Sequence, residues 1–193
     1  MNVALRNSMT LEQFLAWESR QERKYEFDGF QPVAMNGVSF EHATIEVNLT
    51  LALGNRLRGT PCRVFGSALK IEVVGRIRYP DLFVVCTPVP RGTYIVRDPV
   101  VVFEIIGPST SHTDLILKTA EYQATPSIKH YVILEQSHAG AQVFSRRGDN
   151  WIAETVKDDD VLRLPEIGIE IPLPEIYADV PLTPEFDEDE PPS

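Results

Sequence analysis

A chain of 193 residues that is 43% hydrophobic can bury the core of one ordinary domain, and no run approaches the roughly 20 apolar residues that span a bilayer. Its 28 acids against 18 bases give a net charge of −10, which argues against indiscriminate binding to a polyanion. Five of those acids lie between Glu185 and Glu190 in a Pro-flanked tail, so the rest, 23 acids against 18 bases, is only mildly acidic.

Residues 1–8 read as an N-terminal extension without the apolar core of a signal peptide, and a cytoplasmic location is expected. One domain is expected over 9–180, and the acidic Pro-rich stretch 181–193 reads as disordered. Thr10 with Gln13 forms a capping-box pattern, and Leu11, Phe14 and Leu15 follow at helical spacing, predicting a helix from about Thr10 to Arg23. Tyr25 to Phe27 and Pro32 to Met35 flank Asp28-Gly29 and read as a hairpin whose second strand Pro32 confines to an edge. Ser39 caps a longer helix, Phe40 to about Arg58, with Ile45, Leu49, Leu53 and Leu57 as its inward stripe and Gly59 as its stop.

From Cys62 the period becomes two. Strands are expected near Cys62 to Phe65, Leu69 to Val74, Tyr79 to Cys86 and Val100 to Ile106, the last two being sheet neighbours across the Pro-rich loop 87–99. Thr110 opens a helix to about Ala124, ended by Pro126. Alternating runs follow at His130 to Leu134, Ala141 to Phe144, Trp151 to Val156 and Val161 to Ile171. Cys62 and Cys86 lie in apolar runs without metal-ligand spacing and read as buried thiols rather than a disulfide framework.

The chemistry centres on VVVFEIIGPST, residues 100–110. Glu104 shares one strand face with Val100, Val102 and Ile106, while Val101, Phe103 and Ile105 fill the other. A carboxylate in such a strand must be paired, neutralised or bound to a cation, because an uncompensated buried charge costs several kcal/mol. A metal site is one reading; a wet sheet edge or a structural ion pair is the other. Asp81, after Pro80, opens a second apolar strand that neighbours the first, so two carboxylates can converge, and hard divalent cations favour such oxygen ligands. Taken alone, Asp81 reads more simply as an ordinary Pro-Asp turn, a preference it loses once paired with Glu104. In the following helix Asp114, Lys118 and Tyr122 fall four residues apart; Lys118 leans toward an apolar face, although an Asp114 to Lys118 surface pair explains it too. His42 lies in the first turn of the second helix on the stripe of Ile45 and Leu49, where a core histidine is the simpler reading. His112, His130 and His138 lack zinc-like spacing.

This order of helix, strands carrying an Asp after Pro and an acid in the next strand, and then a helix resembles the PD-(D/E)XK nuclease core. TLEQFLAWE (10–18), KYEFDG (24–29), VAMNG (33–37), RGTPCRVFGS (58–67), LKIEV (69–73), RYPD (78–81), EIIGPST (104–110) and DLILKTAEYQ (114–123) are similar, in order, to the blocks of the Uma-type family of putative restriction endonucleases. The resemblance implies an α+β (α/β) fold with an αβββαβ restriction-endonuclease-like core, plus an N-terminal hairpin and C-terminal strands. It implies a Mg²⁺- or Mn²⁺-dependent endonuclease acting on DNA, with Asp81 and Glu104 as metal ligands, Glu26 as a third acid and Lys118 as a lysine displaced from its usual place two residues after the acid, where this chain has Ile106. Lys70 is a competing cation, His42 an auxiliary polar group, and Asp114 a partner of Lys118. The chain departs from the family pattern at Ala68, where Asp is usual, at Gly107, where Ser is common, and in the shortened KYEFDG block. A nuclease-fold DNA-binding or regulatory protein without turnover and a phosphoesterase acting on a non-DNA substrate are the rival readings. Cutting both strands with one small centre calls for two-fold symmetry, so a homodimer built on the hairpin and the C-terminal strands is expected.

Overall fold

A computed structural model describes residues 8–35, 37–107 and 112–182. The predicted extension over 1–8, apart from Ser8, and the acidic tail from Thr183 onward lie outside the described residues, as do Thr110 and its predicted cap.

Helix α1 covers Leu11–Glu18 and begins with the expected reciprocal cap between Thr10 and Gln13. It stops five residues earlier than the sequence suggests. The segment SRQERK at 19–24 offers nothing apolar to bury, and the chain leaves through tight turns from Arg20 to Trp17 and Gln21 to Glu18. Strands β1 (Tyr25–Phe27) and β2 (Pro32–Ala34) form the predicted hairpin, with β2 at a sheet edge. Helix α2, Phe40–Arg56, is capped by Ser39 and buries Ile45, Leu49 and Leu53, the stripe read from the sequence.

Strands β3 (Arg63–Gly66), β6 (Leu82–Val85), β8 (Val101–Ile106), β9 (His130–Glu135), β10 (Gly140–Arg147) and β11 (Asn150–Lys157) build a six-stranded sheet in the order β11-β10-β9-β8-β6-β3. Within this sheet, among the described residues, only β8 and β9 pair parallel, joined by the crossover helix α3, His112–Ala124. One face packs on α2: Val101, Phe103 and Ile105 share a core with Ile45, Leu49 and Leu53. The opposite face, from Phe83 and Val102, packs on Tyr122 and Tyr131. Strand β8 is therefore covered on both sides, as its continuous apolar run requires.

Strands β4 (Lys70–Val73), β5 (Arg76–Arg78) and β7 (Ile95–Val96) join the hairpin in a second sheet, β2-β1-β5-β4-β7. The predicted strand Tyr79 to Cys86 is thus shortened to Leu82–Val85. Pro80 cannot donate to a ladder, and the chain passes from the second sheet to the first across Tyr79-Pro80-Asp81, which sets Asp81 at their seam. The run Val161 to Ile171 divides into β12 (Val161–Leu164) and β13 (Ile169–Pro172), because Gly168 adopts a left-handed turn after a short 3₁₀ helix; α4 (Leu173–Ile176) follows.

The cysteine reading is corrected: Cys62 and Cys86 form a disulfide. Pairing of β3 with β6 in the register Arg63 to Val85 places the two cysteines opposite each other one step further along. A separation of 24 residues with the β4-β5 hairpin between hid this contact from linear inspection. Among the described residues no helix is long and apolar enough to cross a membrane.

Candidate active site

The register between β6 and β8 pairs Leu82 with Phe103, Phe83 with Val102 and Val84 with Val101. One step before the Leu82–Phe103 rung, Asp81 falls opposite Glu104, and opposite residues of an antiparallel pair project to the same face. The Asp81 carboxylate turns back onto the other strand, where Oδ2 accepts the N–H of Ile105 at 2.7 Å. Like charges directly across a ladder destabilise it, so the fold tolerates this pair against its own stability.

Glu104 is only 8% exposed. Tyr122 Oη donates to its Oε1 at 2.7 Å, and Lys118 Nζ lies 3.3 Å from Oε1 and from Oε2. Burial pushes the Glu104 carboxyl up to about 7; Lys118 opposes this, while Asp81 and Glu26 reinforce it by repulsion. Burial works against the charge on Lys118, yet Glu104, Glu26 and Asp114 outweigh it and hold the ammonium above its ordinary range. Lys118 is a buried, permanently charged group fixed against a carboxyl that titrates near neutrality.

Behind Lys118 stands a second set of charges. Glu26 lies 3.5 Å from Lys118, accepts from the Tyr79 N–H at 3.0 Å and from the Arg78 guanidinium at 3.2 Å. Arg78, 2% exposed, completes a bidentate pair with Glu121 at 2.7 Å on each arm. Glu26, expected as a third acid of the centre, is therefore committed to holding Lys118 and to the Arg78 pair.

On the other side of Asp81, His42 Nε2 lies 3.1 Å from Oδ1. Burial resists charging this imidazole, but the hydrogen bond and charge of Asp81, with Glu46 and Glu104 behind it, bring its pKa above the ordinary value. His42 Nδ1 is buried with no hydrogen-bond partner. Glu46, one helical turn after His42, lines a cleft of about 520 Å³ together with Arg23, Lys24, Val38, His42 and Asp81. Burial and then the Asp81 charge raise its carboxyl above the ordinary range, with His42 and Lys24 opposing. Gly66 lies close by: a β-carbon there would be 3.6 Å from both the Asp81 carbonyl and Glu46 Oε1.

Of the residues singled out in the sequence, Asp81, Glu104, Lys118, Glu26 and His42 come together. Asp114 lies 3.8 Å from Lys118 at the outer end of the set. Lys70 does not join them: its ammonium is 2.6 Å from Glu18 Oε2, beside the Tyr79 ring, and Tyr79 Oη donates to the other oxygen of Glu18. Glu46, Arg78 and Glu121 escaped the sequence reading. For Glu46 a signal existed, since an acid four residues after His42 occupies the same helix face. For Arg78 and Glu121 none did, because their pairing joins residues 43 apart in sequence.

Residues 11–174 match the family Uma2, described as "Putative restriction endonuclease". The chain belongs to the Uma2 family. It is similar to an uncharacterized protein of Synechocystis sp., slr1290, at 32% identity over 170 residues, covering 86% of this chain and 90% of the relative. In three dimensions it is similar to a protein solved crystallographically from Anabaena variabilis and described as a putative nuclease belonging to DUF820. The TM-score is 0.75 at 15% identity, with 88% of this chain and 97% of that one covered. That likeness shows the α+β fold, with its mixed sheets and four helices among the described residues, and not the activity.

Two departures from the Uma2 pattern now have locations. Ala68 is exposed in the turn between β3 and β4. At Gly107 an added β-carbon would come within 2.6 Å of the Gln136 amide, which accepts at 2.7 Å from Ser39, the cap of α2. Gln136 fills the space a serine side chain at 107 would need.

The donor set is compatible with a divalent cation. Burial, with Asp81 and Glu26 behind it, holds the Glu104 carboxyl up despite Lys118, and a dication shared by Asp81 and Glu104 would favour its charged form. Among the described residues no group of three or more His, Cys, Asp or Glu forms a ready metal cage. Mg²⁺ needs no such cage, since one or two carboxylates with water and substrate phosphate complete its shell.

Proposed function

We propose that this Uma2 protein is a divalent-metal-dependent endonuclease that hydrolyses DNA phosphodiester bonds with water as the nucleophile. The observation that carries the reading is the opposition of Asp81 and Glu104 across β6 and β8, with Lys118 held at 3.3 Å from Glu104. Asp81 and Glu104 would hold Mg²⁺ or Mn²⁺. When bound, the metal supplies Lewis-acid polarisation of the phosphate and lowers the pKa of the attacking water.

The chain's own residues do the rest. Lys118, kept charged by Glu104, Glu26 and Asp114, presents a fixed cation to the negative charge that grows on the phosphate oxygens during attack, and preorganised charge in a dry site is the largest common source of rate enhancement. Glu26 acts as a positioning residue through Lys118, backed by Arg78. His42 and the Ile105 N–H fix the rotamer of Asp81, each taking one oxygen and leaving a lone pair on it. Glu46 adds a further acid to the cleft wall.

A binding or regulatory protein without turnover is the second reading, favoured by Ala68, which leaves the turn beside the cleft without the acid common in the family. Homodimerisation is part of the proposal. Strands β2 and β11 each lie at one edge of their sheets, and β11 exposes Ile152. The functional test is metal-dependent cleavage of supercoiled, linear and single-stranded DNA, compared with Asp81→Ala and Glu104→Ala.

A further inference from the structure

The cleft beside Asp81 has two unlike walls. Arg23 and Lys24 supply exposed basic side chains, and Lys24 is held in place by a 2.8 Å hydrogen bond to the Ser67 carbonyl. The facing lip is apolar: Met35 and Val38 line the cleft, and Val38 is 59% exposed. Phe40 stands two residues further on and is 70% exposed. Ser39 between them is extended, with φ −79° and ψ 170°, and an extended residue throws its two neighbours to the same side. Val38 lines the cleft, and Phe40 stands exposed beside it at the start of α2.

Met35 packs against the Phe14–Phe27 cluster, but Val38 and Phe40 are exposed. A polyanion also meets a poor electrostatic welcome, since the chain carries 28 acids against 18 bases. Duplex DNA presents one charge per roughly 1.7 Å of axis and is held by broad cationic faces, whereas two cations can fix only a phosphate or two. The shortfall in charge is made up where bases are free to stack on exposed apolar and aromatic side chains, a contribution of roughly 1–3 kcal/mol per base that is indifferent to sequence.

We infer that the site takes unpaired nucleotides: Arg23 and Lys24 hold the phosphates of a single strand while Phe40, with Val38, stacks on a base next to the cleft. This rests on the nucleic-acid reading above and narrows its substrate to single-stranded DNA or to unpaired stretches within a duplex.

The test is fluorescence anisotropy of the full-length protein with a labelled oligothymidylate and with a blunt duplex of the same length, in Ca²⁺ and at several salt concentrations. The single strand is expected to bind at least about tenfold tighter than the duplex. Phe40→Ala should weaken single-strand binding about tenfold, the loss of one stacked base, and leave duplex binding unchanged. Lys24→Gln should weaken it and reduce the slope of log affinity against log salt by about 0.7, the loss of one single-strand phosphate contact. Tyr94→Ala, which removes an equally exposed aromatic outside the cleft, should change nothing. Tighter duplex binding, or equal single-strand affinities of wild type and Phe40→Ala, would overturn the inference while leaving the nuclease reading standing. Binding to neither oligonucleotide would overturn both.

Discussion

Asp81 accepts a hydrogen bond from the backbone N–H of Ile105 at 2.7 Å, and this bond binds the two halves of the proposed centre into one unit. The acid at the start of β6 is anchored to the residue immediately after the acid of β8, so neither carboxylate can shift without the other strand. Replacing Asp81 therefore has a structural and a chemical effect that must be separated. Asp81→Asn keeps an acceptor for Ile105 and should cost less than about 1 kcal/mol of stability, whereas Asp81→Ala leaves that N–H unpaired and should cost about 1–3 kcal/mol. Both should lose cleavage by more than about a thousandfold. Chemical denaturation beside a nicking assay checks the pair.

Lys118 is predicted to serve the reaction more than the fold. Lys118→Met leaves Glu26 and Glu104 facing each other, and Glu104 should answer by binding its proton more tightly. Cleavage should fall about a hundredfold or more, and raised Mg²⁺ should not restore it, because the lost charge is separate from the two carboxylate ligands. Calorimetry with Mn²⁺ should show metal affinity reduced far less than turnover. Equal losses of both would reassign Lys118 to holding the carboxylates.

The raised pKa of Glu104 sets a sign for pH dependence in metal-free protein. Its carboxyl titrates near 7 when folded against an ordinary value of 4.5, so between those limits the folded chain holds a proton that the unfolded chain has released. Stability from this group is fully present below about 4.5, declines as pH rises, and is gone above about 7. Glu104→Gln lacks the decline. The stability of the variant relative to wild type should therefore rise across that window by more than about 1 kcal/mol, read from urea midpoints in EDTA. A constant difference would mean that Glu104 ionises normally.

Gly107 and Gln136 should behave as one unit. Gly107→Ser would push a β-carbon to 2.6 Å from the Gln136 amide, displace that flexible side chain and break its bond to the Ser39 cap, at a cost of about 1 kcal/mol. Combining it with Gln136→Ala should return most of that loss. A thermal double-mutant cycle without coupling would remove the steric account of this departure from the family pattern.

Local chemistry made much of the architecture legible. The Thr10 and Ser39 caps, the Ile45-Leu49-Leu53 stripe and the two-sided burial of Val101 to Ile106 each follow from spacing within a few residues. The convergence of Asp81 and Glu104 was accessible for the same reason, because a Pro-rich loop between two apolar strands makes them neighbours. What stayed hidden depends on long-range register. The Cys62–Cys86 bridge needed β3 to skip β4 and β5 and pair with β6. The pairing of Lys70 with Glu18 needed the second sheet, which carries Lys70 away from the centre. The commitment of Glu26 to Arg78 and Lys118 needed both sheets in place.

The most direct measurement is cleavage of supercoiled, linear and single-stranded DNA by purified protein across a Mg²⁺ and Mn²⁺ titration, run beside Asp81→Asn and Glu104→Gln. The proposed centre predicts metal-dependent nicking or cutting by wild type, abolished by EDTA and lost in both variants while they remain folded. Cleavage that persists in folded Asp81→Asn and Glu104→Gln, or a wild type that binds DNA and metal but cuts none of the three substrates, would contradict it.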